Sequence, residues 1–285
     1  MSTPPVAAPG RSLSKSIIVG LVLGVVFLSS VLIYKELFMA FAATVAAFGA
    51  WELSTALRLK GWYVPRVPIV VGSTLIMPAT FYGGPTLQWL FALVIVAALI
   101  LWRTVHLLWE RRQAPSQAMR QTLGDFSAAA FLVAYVPLMT SFTILLLRRE
   151  DGAQWVLTLV ITVSMIDTFG YLVGRTFGKT KLAPGVSPKK TWEGLLGSIT
   201  AGTIAAVACT HFFFGSPWWL GLLLAGVLLL SAVFGDLAES LIKRDLGVKD
   251  MGSILPGHGG VMDRLDSVLP SALVTYLFTV LFFAV

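Results

Sequence analysis

Residues 217–235 read PWWLGLLLAGVLLLSAVFG, a stretch without a charged side chain. An α-helix needs about 20 predominantly apolar residues to cross the roughly 30 Å hydrocarbon core of a bilayer. The stretch is continuously apolar rather than alternating, which indicates a helix and not a strand of a membrane barrel. It therefore predicts a membrane-spanning helix.

The rest of the chain has the same character. Of its 285 residues, 56% are hydrophobic and only 12% are charged, whereas about 25% are charged in a soluble domain. Its mean hydropathy is +0.83. We therefore predict an all-α integral membrane protein with about nine transmembrane helices. The apolar segments are residues 16–34, 37–57, 67–82, 86–107, 124–147, 155–174, 191–213, 217–235 and 266–285.

The Lys and Arg residues predict the orientation of these helices. With nine spans, all of the 21 Lys and Arg residues except Lys35, Arg148 and Arg149 fall on one side, and the positive-inside rule makes that side cytoplasmic. The N-terminus is then cytoplasmic and the C-terminus outside, in a multi-pass protein of the cell (inner) membrane. The predicted regions are a disordered cytoplasmic tail (1–15), N-terminal membrane helices (16–150), and a C-terminal catalytic membrane region (151–285) with cytoplasmic loops 175–190 and 236–265.

Composition also excludes some classes of protein. The single cysteine, Cys209, cannot form an intramolecular disulfide, and one Cys with three scattered His residues cannot supply a four-ligand zinc site. The net charge of +7 does not indicate nucleic-acid binding, because the basic residues lie in short loops between apolar segments.

Carboxylates concentrate near the C-terminus, where the orientation rule does not account for them. In FGDLAESLIKRD, residues 234–245, a helix continuing from the preceding apolar segment places Asp236, Glu239, Ser240 and Lys243 on one face. A carboxylate at the end of a membrane helix is costly unless it is paired or bound to a cation. This face is therefore either a set of solvated ion pairs or part of a cation site.

A second acidic motif, GHGGVMDRLD, spans residues 257–266. Its glycines allow the backbone to approach a ligand closely, and Asp263 and Asp266 can face the same way as the last apolar segment begins. Carboxylates suit Mg²⁺, which commonly takes one or two of them together with substrate phosphates. A turn followed by acidic residues at a helix N-terminus is the simpler alternative, but it does not account for His258.

A basic loop, GRTFGKTKLAPGVSPKKTWEG, spans residues 174–194. We predict Ser187 as the N-cap of the next helix and Pro188 as its first residue. The free N–H groups at that helix end, with Lys189 and Lys190 beside them, favour a phosphate. The alternative is ordinary positive-inside flanking of a membrane helix.

Two carboxylates lie inside apolar segments. Asp167 is a candidate site residue because a carboxylate within the membrane is costly and commonly functional, with a structural partnership as the alternative. A structural role is favoured for Glu52. His106 and His211 lie at helix ends and are expected to be interfacial.

Carboxylates for a divalent cation and lysines for phosphate thus meet on the cytoplasmic face, which suggests phosphoryl or nucleotidyl transfer to or from a lipid headgroup.

These motifs resemble those of the phosphatidate cytidylyltransferases, also called CDP-diacylglycerol synthases. The resemblance is carried by GDLAESLIKRDLGVKD followed by LPGHGGVMDRLDS, and by DTFGYLVGRTFGKTKLAPGVSPKKTWEG, and it covers residues 167–267. Residues 1–150 resemble the family only in hydropathy. The chain departs from the family at Lys189, where glycine is common, and at Phe169 and Gly170, where a small residue and alanine are common.

The resemblance implies the reaction of CTP with phosphatidate to give CDP-diacylglycerol and pyrophosphate, in a dimeric membrane enzyme that uses Mg²⁺, with K⁺ as a candidate second cation. It implies Asp236 and Asp263 as metal ligands, and Asp266 and Asp167 are weaker candidates. The expected phosphate-neutralising residues are Lys190, Lys243, Arg244 and Arg264. The expected nucleotide-site residues are Ser187, Lys189, His258, Gly259 and Gly260.

Two alternatives stay open at this point. One is cytidylyl transfer to another lipid phosphate, such as a prenyl-ether phosphate, which the catalytic loops would hardly distinguish. The other is an ion-coupled transporter, in which Asp167 and the acidic loop form a cation path. Transporters often contain internal repeats with broken helices, and no convincing repeat is found in this chain.

Overall fold

The computed structural model describes residues 13–110, 115–255 and 259–283, and for residues 13–18, 110 and 115–121 it describes only the backbone. The described chain is almost entirely helical, as predicted. Residues 1–12 of the predicted tail lie outside this description, and the first helix begins within the predicted tail. The elements are α1 (Leu13–Leu32), α2 (Lys35–Leu59), α3 (Arg66–Glu110), α4 (Pro115–Val133), a π-helical turn (Ala134–Leu138), α5 (Met139–Arg148), α6 (Gly152–Phe177), β1 (Lys181–Ala183), β2 (Ser187–Thr191), α7 (Trp192–Phe214), α8 (Trp218–Leu246), α9 (Met262–Leu265) and α10 (Val268–Phe282).

Within the described residues, seven helical segments are long and apolar enough to cross a membrane. They are Lys35–Leu59, Arg66–Trp109, Thr122–Arg148, Gly152–Phe177, Trp192–Phe214, Trp218–Leu246 and Met262–Phe282. Each of the nine predicted segments coincides with helix over most of its described length. The counts differ because two predicted segments lie in α3, and because the described apolar part of α1, Val19–Leu32, is shorter than a span. Nine spans and the orientation of the termini stay predictions.

Helix α3 is a hairpin of two antiparallel arms. Gly84 interrupts it with φ 66° and ψ −156°, a left-handed conformation that favours glycine. A Cβ on Gly72 in the first arm would lie 2.7 Å from the side chain of Ile95 in the second. Nearer the open end, the rings of Tyr63 and His106 stack with centroids 4.4 Å apart. The predicted segments 67–82 and 86–107 are these two arms.

Helices α6 and α7 pack closely through small residues. A Cβ on Gly202 would lie 2.5 Å from Ile166, and one on Gly197 would lie 2.8 Å from the carbonyl oxygen of Phe169. Ser198 Oγ donates a hydrogen bond to the Ile166 carbonyl at 2.7 Å. Glycine and serine at a helix interface let the two backbones approach, and this packing positions the C-terminal end of α6 next to the N-terminal end of α7.

A buried ion pair ties α3 to α4. Arg103 donates to Asp125 Oδ2 through Nε and Nη2, each at 2.7 Å. The other oxygen of Asp125 accepts the backbone N–H of Tyr63 at 2.7 Å. Both charged side chains are almost fully buried, so each charge depends on the other for compensation.

The basic loop forms a β-hairpin, and this corrects the predicted helix start. Strands β1 and β2 pair antiparallel, with Ala183 opposite Ser187 and Lys181 opposite Thr191. Ser187 and Pro188 therefore belong to a strand and do not cap a helix. Thr191 caps α7 instead, since its side chain accepts the N–H of Gly194 at 3.1 Å. Thr191 is itself a good N-cap residue, and strand pairing holds the preceding residues extended.

Candidate active site

The C-terminal end of α8 carries the predicted polar face. Ser240 Oγ donates to Asp236 Oδ1 at 3.4 Å, and Lys243 Nζ donates to Glu239 Oε2. Both contacts join residues four apart, which lie on one face of a helix. Glu239 is 1% exposed, so this face points into the protein rather than into solvent. The solvated ion-pair alternative does not describe it.

Lys243 also reaches the second acidic motif. Its Nζ lies 2.8 Å from Asp263 Oδ1, and the Asp263 side chain is 5% exposed. Asp263 belongs to α9, which follows the glycine-containing loop. The Lys243 ammonium group therefore connects the two acidic motifs of the sequence, residues 234–245 and 257–266.

The loop before α9 folds around the Asp263 carboxylate. Asp263 accepts the backbone N–H groups of Met251, at 3.0 and 3.2 Å, and of Gly260, at 2.7 Å. Gly259 has φ 89°, and a Cβ there would lie 2.9 Å from Asp263 Oδ2. Glycine is therefore required at this position both for its conformation and for the close approach of the carboxylate.

The β-hairpin delivers one lysine to the same place. Lys190 Nζ lies 2.6 Å from Asp236 Oδ2. Side chains alternate along a strand, and the neighbouring Lys189 is exposed. Arg244 of α8 donates to the carbonyl oxygen of Gly185 in the hairpin turn, so the hairpin is held against α8.

Two more carboxylates complete the cluster. Asp266 accepts the N–H of Ser267 at 2.8 Å, and Ser267 Oγ lies 3.4 Å from Asp167 Oδ1 as a donor. Asp266 interacts electrostatically with Asp236, and Asp167 with Lys190. Helices α6, α8 and α9 and the hairpin thus converge on one polar cluster.

Carboxylates outnumber lysines in this cluster. Like charges held together at low solvent exposure raise the energy of the ionised state, and a cation relieves that cost. The chemistry of the cluster therefore favours a bound cation and, through its lysines, an anion. Its carboxylates are Asp167, Asp236, Glu239, Asp263 and Asp266, and its lysines are Lys190 and Lys243.

Comparison with known proteins agrees with this chemistry. The sequence model of the "Cytidylyltransferase family" matches residues 14–282. The chain belongs to the cytidylyltransferase family. It is 39% identical to a phosphatidate cytidylyltransferase of Mycobacterium leprae (strain TN), over 96% of this chain and 90% of that protein. It is 38% identical to that of Mycobacterium bovis (94% and 88%) and 35% identical to that of Staphylococcus aureus strain COL (86% and 90%).

Most predicted site residues of this cytidylyltransferase family member lie in or beside the cluster. Arg264 follows Asp263 in α9 and its side chain is exposed. Lys189 and Ser187 lie on β2, where Ser187 is half-buried. His258 lies outside the described residues. Of the predicted residues, Asp167, Asp236, Asp263 and Asp266 are brought together around Lys190 and Lys243, whereas Lys189 and Arg264 are exposed.

Sequence reasoning missed one carboxylate of the cluster, Glu239, and did not indicate the contact made by another carboxylate nearby, Glu52. Glu239 was assigned to the α8 face but not to the site, although its spacing from Asp236 was the available signal. Glu52 of α2 was assigned a structural role. It is 2% exposed and its Oε2 accepts the N–H of Met262 at 2.9 Å, across 210 residues of sequence. Nothing in the local sequence around Glu52 indicates that contact.

The donor chemistry of the site fits a hard divalent cation. Asp236 and Asp263 supply carboxylate oxygens, the ligands that Mg²⁺ prefers. Among the residues that the structure describes, no group of three or more His, Cys, Asp or Glu side chains is arranged to hold a metal ion. A cation that takes one or two carboxylates and completes its shell with water and substrate phosphate, as Mg²⁺ commonly does, is compatible with this arrangement.

Proposed function

We propose that this chain transfers the cytidylyl group of CTP to phosphatidate, giving CDP-diacylglycerol and pyrophosphate in phospholipid biosynthesis. Membership of the cytidylyltransferase family and the names of the mycobacterial and staphylococcal relatives support this activity. The observation that carries the proposal is the pair of contacts Lys190–Asp236 and Lys243–Asp263 within one cluster. It unites, on one face, groups suited to phosphate and to a divalent cation.

The proposed reaction is a displacement at phosphorus. A phosphate oxygen of phosphatidate, already ionised near neutral pH, attacks the α-phosphorus of CTP. The bond between that phosphorus and the bridging oxygen of the β-phosphate breaks, and pyrophosphate leaves. The reaction needs no strong general base, so the protein mainly positions the reactants and neutralises charge.

Lysines of the cluster are placed for that neutralisation. Lys190 and Lys243 are paired with carboxylates in this structure, and phosphate oxygens are alternative partners for the same ammonium groups. Arg244 of α8 and Arg264 of α9 would add positive charge. His258, Gly259 and Gly260 would shape the nucleotide pocket.

Cations form part of the proposal. Asp236 and Asp263 would hold Mg²⁺, with Asp266 and Asp167 as further candidate ligands and K⁺ as a second cation. When bound, Mg²⁺ would offset the charge of the triphosphate as it redistributes during transfer.

The proposed setting is the cytoplasmic face of the cell (inner) membrane. The hairpin and the end of α8 carry many of the chain's Lys and Arg residues, and such segments remain on the cytoplasmic side. CTP is available there. A homodimer, implied by the family resemblance, is part of the same proposal.

The test is transfer of label from α-labelled CTP to lipid by the purified protein in mixed micelles with Mg²⁺. We expect labelled CDP-diacylglycerol and an equal amount of pyrophosphate with phosphatidate, and far less product with a prenyl-ether phosphate. Preference for the prenyl-ether phosphate would overturn the assigned acceptor. A protein that labels no lipid but carries cations across proteoliposomes would be a transporter, and the proposal would be wrong.

A further inference from the structure

We propose that Glu52 is a positioning residue, whose carboxylate holds the loop around Asp263 in its working shape. The proposal deepens the proposed function and rests on it for the role of Asp263. It assigns a task in the site to α2, in the N-terminal half of the chain.

The loop is held from two sides by two carboxylates. Asp263 accepts the N–H groups of Met251 and Gly260. Glu52 accepts the N–H of Met262, which lies between Gly260 and Asp263 in sequence. The backbone at residues 251–252 and 260–262 therefore lies between two carboxylates, that of Asp263 in α9 and that of Glu52 in α2.

Two glycines of the loop, Gly252 and Gly260, lie in close contact with the Glu52 carboxylate. A Cβ on Gly252 would lie 2.1 Å from Glu52 Oε1, and a Cβ on Gly260 would lie 2.5 Å from Oε2. Separations below about 3 Å do not occur between real Cβ atoms and their neighbours. The loop backbone at Gly252 and Gly260 therefore packs directly against the Glu52 carboxylate. The path of this backbone depends on the position of the Glu52 side chain.

Glu52 also satisfies a backbone group that would otherwise be buried without a partner. Met262 is the first residue of α9, and N–H groups at the start of a helix have no partner within it. Both Met262 and Glu52 are almost fully buried. An acceptor at this point fixes the start of α9 and hence the direction in which Asp263 leaves the backbone.

Two substitutions of nearly equal size separate this role from simple space filling. Glu52→Gln keeps the side-chain volume and a carbonyl oxygen for the Met262 N–H. Glu52→Met keeps the volume and removes the acceptor. Ser54→Ala is the control, because Ser54 is buried in the same helix and its Oγ bonds to Trp51 of that helix.

The first measurement is amide hydrogen exchange over residues 250–263 in the purified protein without substrates. We expect faster exchange there in Glu52→Met, near wild-type exchange in Glu52→Gln, and no change in Ser54→Ala. If Glu52→Met does not fold, Gly252→Ala loosens the same loop from the other side. Wild-type exchange in both Glu52→Met and Gly252→Ala would overturn the proposal.

The second measurement separates the two substrates. Because Glu52 acts through Asp263, kcat/KM for CTP should fall about 10- to 100-fold in Glu52→Met, while KM for phosphatidate stays unchanged. Equal losses in Glu52→Gln and Glu52→Met would contradict a role as hydrogen-bond acceptor, and an equal rise in both KM values would indicate general loosening. If the exchange results hold but wild-type protein makes no CDP-diacylglycerol, the positioning role stands and the proposed function fails.

Discussion

Lys243 Nζ lies 2.8 Å from Asp263 Oδ1 and also donates to Glu239 Oε2. A single ammonium group therefore closes the gap between the end of α8 and the start of α9. Glu239 and Asp263 are 1% and 5% exposed in their side chains, so neither carboxylate can turn to water instead. The geometry of the site depends on this one cation.

Replacing Lys243 by methionine should therefore destabilise the protein. Two buried carboxylates would lose their cation, and breaking a buried pair by removing one partner costs about 3–5 kcal/mol. We expect a clearly lower thermal midpoint in detergent together with loss of cytidylyl transfer. Lys249→Met removes an exposed lysine of the loop that follows α8 and should change stability by no more than about 0.5 kcal/mol. Equal midpoints for the two variants would show that the Lys243 contacts contribute little.

Asp263→Asn should separate folding from catalysis. Asparagine keeps an oxygen that can accept a loop N–H but removes the negative charge proposed to hold Mg²⁺. We expect a folded protein whose turnover falls by several orders of magnitude and whose residual activity needs more Mg²⁺, measured by titration at fixed CTP. Asp245→Asn is the control, since Asp245 lies at the C-terminal end of α8 with its side chain 67% exposed. Unchanged Mg²⁺ dependence in folded Asp263→Asn would remove Asp263 from the metal site.

How far the sequence predicts this structure differs from element to element. A bilayer requires long uninterrupted apolar helices, so residues 217–235 predicted α8 directly, and four-residue spacing predicted the face with Asp236 and Lys243. Helix α3 was predicted as two segments, and Gly84 joins them into one hairpin. The contact of Glu52 with Met262 spans 210 residues, and no local pattern reports on contacts at that distance.

The hairpin shows why one local prediction was wrong. Ser187 followed by Pro188 is a typical helix start, and Thr191 lies only four positions later with equal capping ability. Pairing with β1 decides between them, because it holds Ser187 extended opposite Ala183. Strand pairing also decides which of two adjacent lysines enters the site, and neither spacing nor charge could predict that.

The buried Arg103–Asp125 pair should support the fold without affecting catalysis directly. Asp125→Asn would remove the carboxylate charge from a buried pair in which Arg103 is 5% exposed, at a cost of about 3–5 kcal/mol. We expect a shorter half-life at elevated temperature but near wild-type kcat for the protein that remains folded, measured after removal of aggregates. A selective loss of kcat/KM for CTP at unchanged half-life would instead connect this pair to the site.

Lys189 and Lys190 offer a matched comparison because they are adjacent and chemically identical. Lys190 contacts Asp236 at 2.6 Å, whereas Lys189 is exposed. Losing a charge-assisted contact to phosphate costs about 1.5–3 kcal/mol, so Lys190→Met should lower kcat/KM for CTP roughly 10- to 150-fold. Lys189→Met should lower it only slightly, and mainly at low salt, because exposed charges are screened. Steady-state kinetics at two ionic strengths would check both expectations. A larger loss in Lys189→Met than in Lys190→Met would mean that the hairpin binds the triphosphate with its opposite face.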